Sequence, residues 1–368
     1  MQRKPPLIWL NITLFTLTFA IALLWVPWHG YHHGFDKVEW LSFILLALFS
    51  GLSITAGYHR LWSHKSYKAS RGVKIIYALG GALALQNSAL HWCSDHRVHH
   101  KYVDDNDKDP YSAKRGFWYS HIGWMLREYQ VTKPEYLNAR DLQNDPIVMW
   151  QHRHYLALVV VMNILLPLTL GWLNGDILSM LLLAGVMRLV LVHHCTFFIN
   201  SLAHIWGKQP YTDKNTARDN GLLALLTYGE GYHNFHHIFE HDYRNGIHWW
   251  QYDPTKWLIQ LLSWCRLTWD LRQVPQERIE TARLNMQLKQ VSHRLTRFPN
   301  CEELQQHLQL EYEQLKTAIT AYYQAQKKLL EAKHKHLCDQ QLISQVALLK
   351  RQLSNRIKHW QQFTARYS

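Results

Sequence analysis

Four stretches of this 368-residue chain are too long and too free of charge to be ordinary core helices. Leu7–Trp28, Leu41–Tyr58 and Tyr155–Leu173 carry no charged side chain, and Ile177–His194 is interrupted only by Arg188. As a helix the first run reaches about 30 Å, the thickness of a bilayer's hydrocarbon core. No small-residue cleavage site follows it, so it reads as a retained span and not as a signal peptide. Pro167 within the third run is tolerated in a membrane helix. The expected fold class is therefore an all-α integral membrane protein with four transmembrane helices.

Loop charge orients the helices. Arg3 and Lys4 precede the first run, and the stretch from His59 to His154 is rich in Lys and Arg. The connections Gly30–Lys37 and Gly171–Asp176 carry almost none, so both termini and the long middle loop are expected on the cytoplasmic side. The segment "VKIIYALGGALALQNSAL" (Val73–Leu90) is apolar enough to be weighed as a fifth span. Crossing there would put the histidines before and after it on opposite faces, so an in-plane or partly buried amphipathic helix is expected. The chain is 48% hydrophobic and 13% aromatic, which excludes disorder. Its +13 formal charge suits an anionic membrane surface, nucleic acid or a phosphorylated substrate without choosing among them. Cys93, Cys195, Cys265, Cys301 and Cys338 form no C-x-x-C pair, which argues against a disulfide framework or a thiolate zinc site.

Histidine is the second constraint. His59 and His64 sit in "HRLWSH", His96, His99 and His100 in "HRVHH", and His233, His236 and His237 in "HNFHH". Spacing of i, i+3, i+4 puts three imidazoles on one helical face, able to meet at one point or at two adjacent points. His59 and His64 stand about 140° apart on an ideal helix. They require a helix end that bends around a site, or two different metals. Asn200 and His204 in "NSLAH" add an i, i+4 pair. Imidazole suits Zn, Cu, Fe and Ni alike, but this many donors exceeds one ion's coordination sphere and points to two metals. Asp95, Asp104, Asp105, Glu230 and Asp242 are candidates to accept the second ring N–H. Zinc lacks redox chemistry and no H-E-x-x-H occurs, so a nitrogen-ligated pair beside apolar helices points to oxygen chemistry on a lipid.

The stretches "GLSITAGYHRLWSHKSYKA", "QNSALHWCSDHRVHHKYVDDNDKDPY", "KRGFWYSHIGW", "NSLAH" and "GEGYHNFHHIFEHDYRNG" resemble the membrane-bound fatty acyl-CoA delta-9 desaturases, the stearoyl-CoA desaturase family. The resemblance covers about residues 5–273 and is of the type without a fused cytochrome b5 domain. It implies four membrane helices beneath a cytoplasmic cap that holds a histidine-ligated di-iron centre. The family's ligands fall on His59, His64, His96, His99, His100, His204, His233, His236 and His237, with Asn200 reaching one iron through water. The implied reaction consumes dioxygen and two electrons and leaves a cis double bond in a saturated acyl chain. A kinked tunnel would have Gln86, Asn87, Trp92 and Thr196 at its wall or mouth and Ala47 and Gly51 near its closed end. Both of these are small, so a fairly long tail would fit. Asp95, Lys114 and Arg115 would meet the polar head of the substrate, where a CoA thioester needs phosphate partners. Ser94 stands where the family has an arginine, which leaves room for acyl chains on a phospholipid as well as on CoA. Arg188 would snorkel or pair internally. His91, His121, His152, His154, His193, His194, His241 and His248 match no ligand position and read as packing residues.

Two regions are thus expected: a desaturase domain over residues 1–274 and a basic helical extension over 275–368, with a helical hairpin from Cys301 to Trp360. The extension's roles to weigh are contact with anionic lipid, docking of an electron donor, and self-association. No H-P-G-G haem signature occurs, so electrons are expected from a separate ferredoxin- or cytochrome b5-like protein and its reductase. The expected setting is a bacterial cytoplasmic membrane, with lipids and an acyl substrate as partners and no nucleic acid. A di-iron lipid or alkane hydroxylase is the rival enzyme, and a metal transporter or sensor the rival from another class.

Overall fold

The computed structural model describes residues 5–129, 135–335 and 340–367. Arg3, Lys4 and Cys338 lie outside them. Two compact units are present, Met1–Lys208 with Asn215–Gln273, and Gln209–Lys214 with Val274–Ser368.

In the first unit four helices are long and apolar enough to cross a membrane: Trp9–His32, Lys37–Ser63, Tyr155–Asn174 and Ile177–Ile205. The second and fourth run further than hydropathy alone indicates, to Ser63 and Ile205, because their last turns bury polar residues inside the protein. The side chains of Ser53 through Ser63 are all buried. The second span opens with a capping box, in which Asp36 accepts from the Glu39 amide at 2.8 Å and Glu39 accepts from the Asp36 amide at 2.8 Å.

The segment weighed as a fifth span is broken. Helices Arg71–Ala84 and Ala89–Tyr102 meet at 81° across a four-residue break, with Leu85 and Asn87 at positive φ. The first of the two packs tightly on the second span. A Cβ on Gly81 would lie 2.3 Å from the Tyr58 ring and one on Gly57 would lie 2.7 Å from Tyr77 Cβ, so glycine is required at both crossings. Its C-terminus ends in the interior, where unsatisfied carbonyls are costly. Asn163 donates to Ala82 O at 3.0 Å, Arg188 to Leu83 O at 2.7 Å, and His193 Nε2 lies 2.9 Å from Ala84 O. Arg188 is fully buried and also donates to Ala184 O and to Asn163 Oδ1. Of the two roles expected for it, internal pairing is the one found: it caps a helix end whose dipole favours a cation. The segment is thus two helices joined by a sharp bend, the first of them amphipathic and partly buried as expected.

The second unit is built around three helices, Gln276–Leu295, Cys301–His334 and Gln340–Ala365. A hairpin alone was expected; the helix before it completes the core. Leu284, Val291 and Leu295 pack with Leu308, Leu315 and Ile319 and with Leu353, Trp360 and Phe363. Tyr312 meets Asn285 while Tyr323 meets Glu280, and His307 meets Phe363 while Glu311 meets His359, so neighbouring helices run antiparallel.

Candidate metal centre

The second span stops being an α-helix where its chemistry begins. Over Ser53–Ser63 the backbone widens into π-type turns, and the amide of His64 donates to the carbonyl of His59 at 3.1 Å. An i to i+5 bond brings residues five apart onto one face, where an ideal α-helix would separate them. Of the two readings open for this pair, the helix end that bends around one site is the one found.

Nine imidazoles gather in two groups. His59, His64, His96, His100 and His236 form one, and His99, His204, His233 and His237 the other; within each, the candidate ligand atoms lie within 4.8 Å of one another. The i, i+3, i+4 triplets are therefore split. His96 and His100 turn to the first group while His99 turns to the second, and His236 joins the first while His233 and His237 join the second. The groups adjoin, with the rings of His100 and His237 stacked at 4.3 Å. The sequences before and after the bent segment meet in the first group, so that segment returns to the face it left.

Ring nitrogens face ring nitrogens. Nε2 of His59 lies 2.9 Å from Nε2 of His236, His64 Nε2 lies 2.9 Å from His96 Nε2, and His236 Nε2 lies 3.1 Å from His100 Nε2. In the second group His233 Nε2 is 3.1 Å from His204 Nε2 and 3.0 Å from His237 Nε2. Their opposite edges are tied to acceptors. His99 Nδ1 lies 2.9 Å from Asp109 Oδ1, His100 Nδ1 3.0 Å from Glu240 Oε2, and His96 Nδ1 3.2 Å from the Tyr111 hydroxyl. His204 Nδ1 lies 2.9 Å from Thr216 Oγ1, which donates to Asp104 at 2.6 Å. His59 Nδ1 is 3.0 Å from Glu230 Oε2, an ion-pair contact without hydrogen-bond alignment. A proton held at Nδ1 leaves the Nε2 lone pair pointing inward. Burial, followed by the neighbouring imidazoles, holds His64, His233, His236 and His237 well below the usual histidine pKa, so these rings are neutral. Lone pairs of neutral rings crowded this closely repel unless a cation sits among them. The donor set fits metal ions, and five imidazoles exceed the four ligands of a closed zinc site.

The supports are uneven. Burial favours the neutral form of Glu230, but His59 and Arg60 outweigh it and hold the carboxyl below its usual range. Arg60 donates to Glu230 at 2.9 Å and to Asp253 at 3.1 Å, forming a fully buried network. A hydrogen bond with His100 holds Glu240 low as well. Asp109 Oδ2 also accepts from the Asp104 amide at 3.0 Å. Of the carboxylates expected to orient rings, Glu230 stands beside His59 and Asp104 acts on His204 through Thr216. Asp95 faces His91 at 3.3 Å, Asp105 accepts from the Asp107 amide, and Asp242 pairs with Arg244 at 2.9 Å. Asp109 and Glu240 were missed. Glu240 follows His236 by one helical turn, but its partner His100 lies on a different helix, which spacing does not reveal.

The remaining expected residues are spread around the groups. Trp92 stacks on His96 at 4.9 Å. Gln86 Nε2 donates to Thr196 Oγ1 at 2.9 Å, and the Asn87 carbonyl accepts from Tyr58 at 3.3 Å. Asn200 ends the helix that precedes His204. Lys114 is exposed, and the Arg115 guanidinium lies over the rings of Tyr119 and Tyr129 at 3.7 and 4.7 Å. Ser94 Oγ donates to Asn138 at 2.8 Å. The room expected beside Ala47 and Gly51 is taken. The Tyr228 ring lies where a Cβ on Gly51 would stand, and its hydroxyl donates to Ala47 O at 3.1 Å. The histidines read as packing residues stand in neither group; His121, for example, lies 3.0 Å from His194.

Comparison with known sequences follows the same residues. The family model described as fatty acid desaturase matches residues 38–262, which carry all nine imidazoles. The chain belongs to the fatty acid desaturase family. It is 48% identical over 238 residues to the probable acyl-CoA desaturase of Schizosaccharomyces pombe, covering 64% of this chain and 50% of that protein. It is 41% identical over 289 residues to acyl-CoA desaturase 1 of Saccharomyces cerevisiae, covering 77% and 55%. The sn-2 palmitoyl-lipid 9-desaturase of Nostoc sp. is 37% identical over 268 residues, covering 71% of this chain and 89% of its own. The chain thus spans about half the length of the two yeast relatives. With its four apolar helices, this family member is a multi-pass membrane protein.

Proposed function

We propose that this chain is an acyl desaturase, which forms a cis double bond at the ninth position of a saturated acyl chain. The observation that carries the reading is the pair of adjoining imidazole groups, five and four, packed closely enough for each to hold one ion. Iron is the metal assigned to both, since the reaction needs a redox-active ion that accepts many nitrogen donors. Asn200 is assigned a water-mediated place beside the second group.

Two hydrogens leave neighbouring carbons of the chain. With two electrons and two protons from outside they reduce one dioxygen to two waters. Irons held by the two imidazole groups would supply the dioxygen chemistry needed to break an unactivated C–H bond. The protein's own part is positional. The nine imidazoles set where the reacting centre lies, and Asp109, Glu240 and Thr216 hold their rings in one tautomer. Choice among nearly identical methylenes then depends on how Trp92, Gln86, Asn87 and Thr196 hold the chain. Asp95, Lys114 and Arg115 are assigned to the polar head. Electrons come from a separate ferredoxin- or cytochrome b5-like donor, and the site opens toward the cytoplasm of its host.

The carrier is either CoA or a membrane lipid. The acyl-CoA and palmitoyl-lipid relatives support one each, and Ser94 engages Asn138 and offers no cation to a CoA phosphate. Expression in a host that makes no unsaturated fatty acids, followed by mass spectrometry of derivatised lipids, tests the reading. A new 9-monoene that disappears in His236→Ala supports it; a hydroxylated chain would assign the protein to the hydroxylases instead.

A further inference from the structure

The second unit contains a cleft that neither the iron chemistry nor the acyl chain requires. It has a volume of about 820 Å³, and Lys289, Arg294, Arg297, Arg366, Phe298 and Tyr367 lie along its lining. The single acidic side chain in the lining, Asp213, is already paired with Lys289 at 2.5 Å. Helices Gln276–Leu295 and Gln340–Ala365 both end beside the cleft. Their negative dipole ends account for basic residues in this neighbourhood. They do not account for three guanidinium groups that donate to no carbonyl and no carboxylate among the described residues. Arg297 and Phe298 also stand past the end of their helix. All three are exposed along one concave space, where their free N–H donors can meet a single anion.

The shape and lining narrow the class of anion. Guanidinium forks match phosphate oxygens two at a time, which a single carboxylate of a flexible side chain uses less fully. The rings of Phe298 and Tyr367 meet edge to face at 5.5 Å, and Met286 is buried beside them, so the charged rim has an apolar flank. A cleft of this size suits a small molecule or a lipid headgroup with the first part of its tail. We propose that this cleft binds the phosphate group of a phosphorylated ligand, held by Arg294, Arg297 and Arg366. The inference does not rest on the desaturase reading.

Titration calorimetry on the full-length protein in nonionic detergent tests it, at fixed ionic strength. The probes are pyrophosphate, dioctanoyl phosphatidic acid, dioctanoyl phosphatidylcholine and poly-glutamate. The variant R294Q/R297Q/R366Q removes the proposed partners. The variant K327Q/K328Q/K333Q removes the same net charge from another exposed face of the unit. At least one phosphate probe is expected to bind wild type at one site, to weaken by about tenfold or more in the arginine variant, and to change less than about twofold in the lysine variant. Binding of phosphatidic acid alone makes the source a lipid headgroup, and binding of pyrophosphate as well makes it a soluble phosphate. Equal losses in both variants, failure of both phosphate probes, or arginine-dependent binding of poly-glutamate alone would overturn the proposal. Matching thermal midpoints for the two variants show that losses are not due to unfolding.

Discussion

The two histidine groups face the same problem and rest on different supports. In the first, five rings come from the widened end of a membrane span, the helix after the sharp bend and the "HNFHH" turn. Its carboxylates are Glu230, locked by Arg60, and Glu240, whose side chain is 40% exposed. In the second, four rings are held through Asp109, which is fully buried, and through the Thr216–Asp104 relay. A buried carboxylate with two or more hydrogen bonds holds its imidazole through every fluctuation, whereas an exposed one shares it with water. Asp109 should therefore matter more to the second group than Glu240 does to the first.

The largest expected effect tests whether the groups work as one centre. His99→Ala in the second group and His236→Ala in the first should each abolish product. Iron analysis of the purified variants should show His236→Ala still holding metal in the second group. Full activity in either variant would break the two-group picture. Next come the supports. Asp109→Asn should weaken metal binding about 10- to 100-fold, and Glu240→Gln less than about tenfold, as read by competition with a chelator. The reverse order would show that burial does not set their importance.

Acid gives a smaller, graded effect. Burial and the neighbouring imidazoles hold the folded pKa of His233, His236 and His237 well below the ordinary histidine value of 6.5, so the unfolded chain takes up protons first. The stability these neutral rings confer is complete above pH 6.5 and is lost as pH falls toward the depressed folded values. Thermal midpoints of metal-stripped protein should drop from pH 7.5 to 5.5. A flat profile would mean that the rings are charged or solvated in the fold. The least effect is expected from removing residues 274–368, which contribute no ring to either group. Iron content should be unchanged, and metal loss would show that the last unit supports the centre.

Much of this was legible from residue order. Long uncharged runs reveal spans because the bilayer penalises every unpaired charge, and all four lie where hydropathy put them. Two ends were cut short, at His59–Ser63, which looks hydrophilic until other helices cover it, and at Cys195–Ile205, where Asn200, Ser201 and His204 interrupt an apolar run. The nine imidazoles were likewise readable as candidates from spacing, but their division was not. Positions i, i+3 and i+4 share a face, and the helix packed opposite decides which ring turns to which centre. Spacing on an α-helix left His59 and His64 open between a bent helix end and two metals, and the π-type turns bring them to one group. Ala47 and Gly51, small enough for tail room or for close packing alike, are met by Tyr228 from far along the chain.

By itself, the sequence determined the class of fold, the number of spans and the set of residues able to hold metal. Hydrophobic length and donor chemistry are properties of local segments, and they survive in any compact arrangement of the chain. Only the tertiary structure decided which rings group together, where the fifth apolar segment bends, and that Arg188, Asn163 and His193 cap its buried end. Each of these depends on atoms brought together from distant positions, where close packing allows one partner and excludes the rest.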